Sequence, residues 1–163
     1  MLKGKNVLLS VTGSIAAYKS AFLVRELIKK GANVKVIVTE SALQFVTTVT
    51  LSTLSKNPVY KDFIKNDDTG EWNNHVDLGA WADLLLIAPA TAHTISNLVT
   101  GKADSFFLAT FLSCTAPIFI APAMDLDMFK NKSTQDNLKK LKERGIEIID
   151  PDNGQLASGL EGK

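Results

Sequence analysis

A run of small and hydroxylic residues, Pro89-Ala90-Thr91-Ala92-His93-Thr94, follows directly on the apolar stretch Leu84-Leu85-Leu86-Ile87-Ala88. The stretch reads as a buried strand and the run as its opening onto a helix. Small side chains there let backbone N–H groups approach a ligand closely. Thr91 and Thr94 add hydroxyls at a helix N-terminus, where a phosphate is favoured. A second run of similar design, Ala121-Pro122-Ala123-Met124-Asp125-Leu126-Asp127-Met128-Phe129, follows the next apolar stretch. Together the two runs point to a phosphate-bearing cofactor with a polar reaction site beside it.

Such runs need a scaffold that ends several strands side by side. Residues 6–11 are apolar and lead into Thr12-Gly13-Ser14, after which Ile15, Tyr18, Phe22, Leu23, Leu27 and Ile28 recur at helical spacing as far as Gly31. Gly31 suits a helix end that requires positive φ. With the strand at 33–38 this makes a βαβ unit, and hence a parallel sheet with a right-handed crossover. The pattern repeats: a strand at 84–88, helices near 94–99 and 105–112, a strand at 118–120, a helix at about 133–144 stopped by Gly145, and a strand at 146–149. Alternation of this kind predicts an α/β fold, a three-layer α/β/α, doubly wound, Rossmann-like parallel sheet. Residues 57–74, with the polar cluster Lys65-Asn66-Asp67-Asp68-Thr69-Gly70, read as an exposed loop. Ligands of open α/β sheets sit outside the carboxyl ends of the strands, so residues 12–15, 39–41, 89–94 and 122–128 are expected to converge on one crevice.

Composition narrows the classes. At 163 residues and 45% hydrophobic content the sequence reads as one domain, 1–163, with a sizeable core. A net charge of +1 without a basic stripe argues against a nucleic-acid partner. Lys139, Lys140, Lys142 and Arg144 cluster at a helix end, where cations complement the dipole. No apolar run is long enough to cross a bilayer, so no membrane partner is expected. A single cysteine, Cys114, forms no internal disulfide and reads as a small buried side chain; it fits a cytoplasmic setting, as does a start without a signal-peptide pattern. Asp77, Asp83 and Asp104 are scattered, which indicates no metal site. Trp81, Phe106, Phe107 and Phe111 fall at helical spacing and read as core or subunit interface rather than a stacking set for a cofactor.

Individual residues carry more than one reading. Gly13-Ser14 serves a tight turn or contacts a phosphate or ribityl chain, and the later glycines of a dinucleotide fingerprint are missing. Thr39-Glu40-Ser41-Ala42 has the form of a helix cap. His75 opens a short helix, His75 to Trp81, as a surface or capping residue; an imidazole also exchanges protons near neutral pH.

The two runs resemble the signature motifs of the flavin-containing cysteine decarboxylases, the family of phosphopantothenoylcysteine decarboxylase and the peptidyl-cysteine decarboxylases. The resemblance extends from Thr12-Gly13-Ser14-Ile15-Ala16-Ala17-Tyr18-Lys19 through Asn74-His75-Val76-Asp77-Leu78 to Leu156-Ala157-Ser158-Gly159. It implies a flavin mononucleotide (FMN) cofactor held by Gly13, Ser14, Ile15, Thr39, Ser41, Thr91, Ala92, His93, Thr94 and Ala123. Asp125 and Met128 would line the substrate side, with His75 as acid/base and Ser158 at the position of a catalytic proton donor. The implied activity is decarboxylation of the small-molecule substrate 4'-phosphopantothenoylcysteine to 4'-phosphopantetheine, on the route to coenzyme A. The alternatives are a peptidyl-cysteine decarboxylase that stops at an enethiol and a non-catalytic FMN-binding subunit. Implied partners are further copies of the chain, as trimers or a dodecamer of trimers, and a synthetase domain or subunit. A surface excess of Phe106, Phe107 and Phe111 is expected to support that homo-oligomer.

The sequence departs from the family at the reaction centre. His93 and Asp125 stand where the motifs carry Asn, Phe129 where Trp is common, and Ser158 where a Cys is usual. A lone Asp125 anion would repel a substrate carboxylate, so a protonated His93 is expected beside it. A serine hydroxyl is a far weaker acid than a thiol of pKa about 8.5, which makes Ser158 a poor direct replacement.

Overall fold

The computed structural model describes residues 2–152 and the two short strands β9 (Gly154–Gln155) and β10 (Glu161–Gly162). Ser158 lies outside the described residues. Six strands form one parallel sheet: β1 (Asn6–Val11), β2 (Asn33–Val38), β3 (Val59–Tyr60), β6 (Leu84–Ala90), β7 (Ile118–Pro122) and β8 (Glu147–Ile148). Their order is β3-β2-β1-β6-β7-β8, every pair parallel. Strands buried on both faces are near-continuous in Val, Leu and Ile, because helices cover each side.

One side of the sheet holds α1 (Ser20–Lys29) and α2 (Thr48–Ser55), packed on Val7, Leu9, Val36 and Val38. On the other, α3 (His75–Trp81), α4 (Ala92–Thr100), α5 (Phe106–Ser113) and α7 (Lys132–Glu143) close over Leu8, Ile37, Leu85, Ile87 and Ile120. Each of these wholly buried aliphatic side chains contributes about 1.5–3 kcal/mol on removal from water. The chain changes sides between β1 and β6. This is the topological switch point, where the loops leaving the two strands turn apart and open a crevice.

Three expectations are corrected. The helix after Gly13 begins as a 3-10 turn, Ile15–Lys19, and becomes α-helical only at Ser20. Its buried stripe is Ala17, Ser20, Val24 and Leu27, whereas Ile15, Tyr18 and Phe22 are 55%, 51% and 66% exposed. Residues 57–74 are not a plain loop: β3 extends the sheet edge, and β4 (Ile64–Asn66) pairs antiparallel with β5 (Glu71–Trp72). The polar cluster forms the hairpin tip, where Asn66 Oδ1 accepts the Asp68 and Thr69 N–H groups. Finally, Phe106 and Phe107 are core residues, 1% and 4% exposed, so α5 has no surface excess of phenylalanine. Gly31 adopts φ +87° at the end of α1, as its position predicts.

Candidate active site

Four loops at the carboxyl ends of β1, β2, β6 and β7 enclose a cavity of about 1790 Å³. Every cofactor and substrate residue predicted from the sequence lines it: Gly13, Ser14 and Ile15 after β1; Thr39 and Ser41 after β2; Thr91, Ala92, His93 and Thr94 after β6; Ala123, Asp125 and Met128 after β7. Local caps shape the loops after β1, β2 and β6. Ser14 Oγ accepts the Ala16 N–H at 3.1 Å, and Thr39 Oγ1 accepts the Ala42 N–H at 3.3 Å where the 3-10 turn Ser41–Gln44 begins. Thr91 Oγ1 accepts the Thr94 N–H at 3.1 Å and donates to Thr94 Oγ1 at 3.0 Å. The β7 loop is tied to β6 by the Ala123 N–H, donated to Ala90 O at 3.0 Å.

Gly13 is required by proximity rather than by backbone conformation. A Cβ there would collide with the Ser41 side chain and stand 3.0 Å from its carbonyl carbon. The absent side chain thus lets the β1 and β2 loops meet on one wall of the cavity. On another wall, Ala92 and His93 occupy the first turn of α4, where N–H groups have no intrahelical acceptor. These donors and the helix dipole suit a phosphate. Side-chain charge does not supply that attraction, since the carboxylates Glu40, Asp104, Asp125 and Asp152 outnumber the ammonium groups of Lys19 and Lys102 around the cavity.

The predicted ion pair between His93 and Asp125 does not form; no such pair occurs among the described residues. Instead His93 Nε2 lies 3.1 Å from Asn97 Nδ2, one helical turn on. An amide nitrogen only donates, so Nε2 is the acceptor in this contact. Asp125 begins the short helix α6 (Leu126–Lys130), with its side chain making no cap bond. Asn97, Lys102 and Ser105 also line the cavity. Asn97 was findable as the i+4 neighbour of His93; Lys102 and Ser105 lie in the α4–α5 turn, which Gly101 opens as a left-handed cap and Ser105 closes as an N-cap.

His75 does not line the cavity of its own chain. Asn74 Oδ1 caps α3 by accepting the Val76 and Asp77 N–H groups, both at 3.1 Å, and places His75 as the first helical residue. Its ring stands edge-on to Phe63, Trp72 and Phe106, with centroids 5.7, 6.4 and 6.5 Å away. Nδ1 is buried with no hydrogen-bond partner. The start of α5 serves both places, Phe106 meeting His75 while Phe107 and Leu108 line the cavity. Cys114 is half-buried, and burial pushes its thiol above the usual range.

The fold and cavity define a doubly wound α/β protein with a ligand site at its switch point, built from small residues, hydroxyls and free backbone donors. Residues 1–163 match the Flavoprotein family, and the chain belongs to it, within the flavin-containing cysteine decarboxylases. It is 44% identical over 163 residues to the coenzyme A biosynthesis bifunctional protein CoaBC of Bacillus subtilis, covering all of this chain and 40% of that protein. It is 45% identical over 157 residues to a probable phosphopantothenoylcysteine decarboxylase of Streptococcus mutans, covering 95% of this chain and 87% of the relative. A cysteine/cysteine sulfinic acid decarboxylase from an unknown prokaryotic organism is 56% identical over 118 residues, 72% of this chain and 33% of the relative. Among solved structures, a PPC decarboxylase mutant complexed with pantothenoylaminoethenethiol superposes with a TM-score of 0.82 at 33% identity, over 98% of this chain and 89% of that one. The chain thus spans well under half the length of the Bacillus relative.

Proposed function

We propose that this chain is an FMN-dependent decarboxylase of 4'-phosphopantothenoylcysteine, acting in a cytoplasmic setting as a single domain, 1–163. The observation that carries this reading is the convergence of all the predicted cofactor and substrate residues on one cavity at the switch point. The residues present fit the cofactor: a glycine that a side chain cannot replace without collision, hydroxyls at two loop caps, and free N–H groups at the start of α4. FMN, when bound, would supply reversible two-electron redox chemistry at the substrate's cysteine side chain.

The protein's own groups do the rest. The first-turn N–H groups of Ala92 and His93 bind phosphate, and Thr39 and Ser41 present hydroxyls to the cofactor. Asp125 and Met128 face the substrate, and His93 Nδ1, the ring nitrogen not engaged with Asn97, is the one available to a carboxylate. His75 takes or holds the thiol proton, and it does so across a subunit boundary. Its ring lies outside its own cavity with a buried, unpartnered nitrogen, a state that functional sites retain. Exposed Trp72 and Val76 flank it, and exposed Ile15 and Tyr18 rim the cavity. Two unlike apolar surfaces of this kind suit a head-to-tail ring, with the trimer as its smallest form and a dodecamer of trimers as the larger one. A synthetase domain or subunit is the proposed further partner.

Ser158, in place of a thiol, favours a second reading in which the reaction stops at the enethiol, as for a peptidyl-cysteine substrate. Incubation of the FMN-loaded protein with 4'-phosphopantothenoylcysteine, reading carbon dioxide and product mass, separates the possibilities. Saturated product is expected; an enethiol supports the second reading, and no carbon dioxide with FMN bound identifies a non-catalytic subunit. A monomer by light scattering at micromolar concentration, with FMN bound, removes the shared site.

A further inference from the structure

We infer that Thr12 is a positioning residue for the cavity: its hydroxyl ties the ends of β1 and β6 together across the switch point and sets the spacing of two of the loops that hold the cofactor. The inference rests on the cavity's reading as a flavin site. β1 and β6 pair in register from Val7↔Leu84 to Ser10↔Ile87. Beyond that point the chain directions part, β1 running into the 3-10 turn on one side of the sheet and β6 into α4 on the other. Pro89 has no N–H to offer at that place.

Thr12 bridges the parting strands with three hydrogen bonds. Its N–H donates to Pro89 O at 3.3 Å, its Oγ1 donates to the same carbonyl at 2.6 Å, and Oγ1 accepts the Thr91 N–H at 3.2 Å. Thr12 O also accepts the Ser14 N–H at 3.0 Å. One residue therefore holds both Ser14 and Thr91, the caps of the segments that open onto the cavity. It is 1% exposed, so water cannot take the hydroxyl's place. Bridging a carbonyl and an N–H through one atom needs a group that both donates and accepts. Serine meets that condition and valine, nearly isosteric with threonine, does not.

Thr12→Val and Thr12→Ser test the inference. FMN titration by flavin fluorescence is expected to show affinity reduced about tenfold in Thr12→Val and kept within about twofold in Thr12→Ser. Hydrogen exchange at the Thr91 amide, followed without FMN, is expected to be slowed in the native protein and in Thr12→Ser and to speed up in Thr12→Val. Equal FMN affinity in Thr12→Val and native protein overturns the inference, as does a Thr12→Ser variant as weak as Thr12→Val. Should Thr12→Val not fold, the exchange measurement decides: slow Thr91 exchange in native and Thr12→Ser proteins supports the tie, and exchange at the unprotected rate overturns it. Failure of the native protein to bind FMN removes the flavin reading instead, and with it the loop-spacing role; the Thr91 exchange rates then still report whether the tie exists.

Discussion

Gly13→Ala is the smallest change that probes the junction of the β1 and β2 loops. The added methyl would overlap the Ser41 side chain and lie 3.0 Å from the Ser41 carbonyl carbon, so backbone as well as side chain must yield. Overpacking of this kind costs about 1–3 kcal/mol. For a domain of this size each kcal/mol lowers the melting temperature by roughly 2–4 °C, which gives a fall of roughly 2–12 °C. If the same displacement opens the cavity wall, FMN affinity falls by roughly 5- to 150-fold. Ser41→Gly supplies the control, because it removes the side-chain obstacle and leaves only the carbonyl contact. Its own cost, measured in the single variant, is the loss of a 3.2 Å contact between Ser41 Oγ and Thr39 Oγ1 and, in the titration, of the hydroxyl proposed to meet the cofactor. Melting curves and FMN titrations on the four members of this cycle should show that the two substitutions are not additive, with Ser41→Gly recovering most of the Gly13→Ala loss. Additive costs, or a Gly13→Ala protein that melts and binds as the native one does, would refute the close approach as the reason for glycine.

His75→Asn should leave FMN binding intact and abolish reduction of the flavin by substrate, read as loss of bleaching in stopped flow; unchanged reduction takes His75 out of the mechanism. Ser158→Cys should speed formation of saturated product and leave carbon dioxide release nearly unchanged, since a thiol of pKa about 8.5 restores a usable acid; equal product rates in the two proteins would assign the proton to another group. Cys114, held above the usual thiol range by burial, should carry less thiolate at neutral pH than a free cysteine. Its alkylation should therefore be slow near pH 7 and rise as pH passes the ordinary thiol pKa, and free-cysteine rates at pH 7 would contradict this.

The crevice was legible because the strand ends are punctuated by small and hydroxylic residues, and local caps help to shape the loops after β1, β2 and β6. Phase along α1 was not, because Ala17 and Ser20, which are neither large nor strongly apolar, take the buried stripe while Ile15, Tyr18 and Phe22 face outward. Periodicity sees side-chain type, and here type and burial disagree. Residues 57–74 were misread for a related reason: two-residue strands such as β3 and β5 are too short for alternation to register. His75 illustrates a different limit. Its motif suggests a site residue, whereas its place outside the cavity depends on how α3 packs on α5, a long-range matter. In place of the expected His93–Asp125 pair, His93 meets Asn97, a partner within its own helix.

The capping of the cavity's loops bears on how a ligand enters. Ser14 and Thr91 spend their hydroxyls on neighbouring N–H groups, so the turns that bear them hold their shape through bonds within the protein. At these two turns an arriving molecule meets backbone that is already bonded within the protein. The conformational entropy of these segments is lost once, during folding, rather than again at each encounter. Affinity at such turns follows from how well the guest matches their outline, and selectivity among guests of similar charge becomes a question of shape.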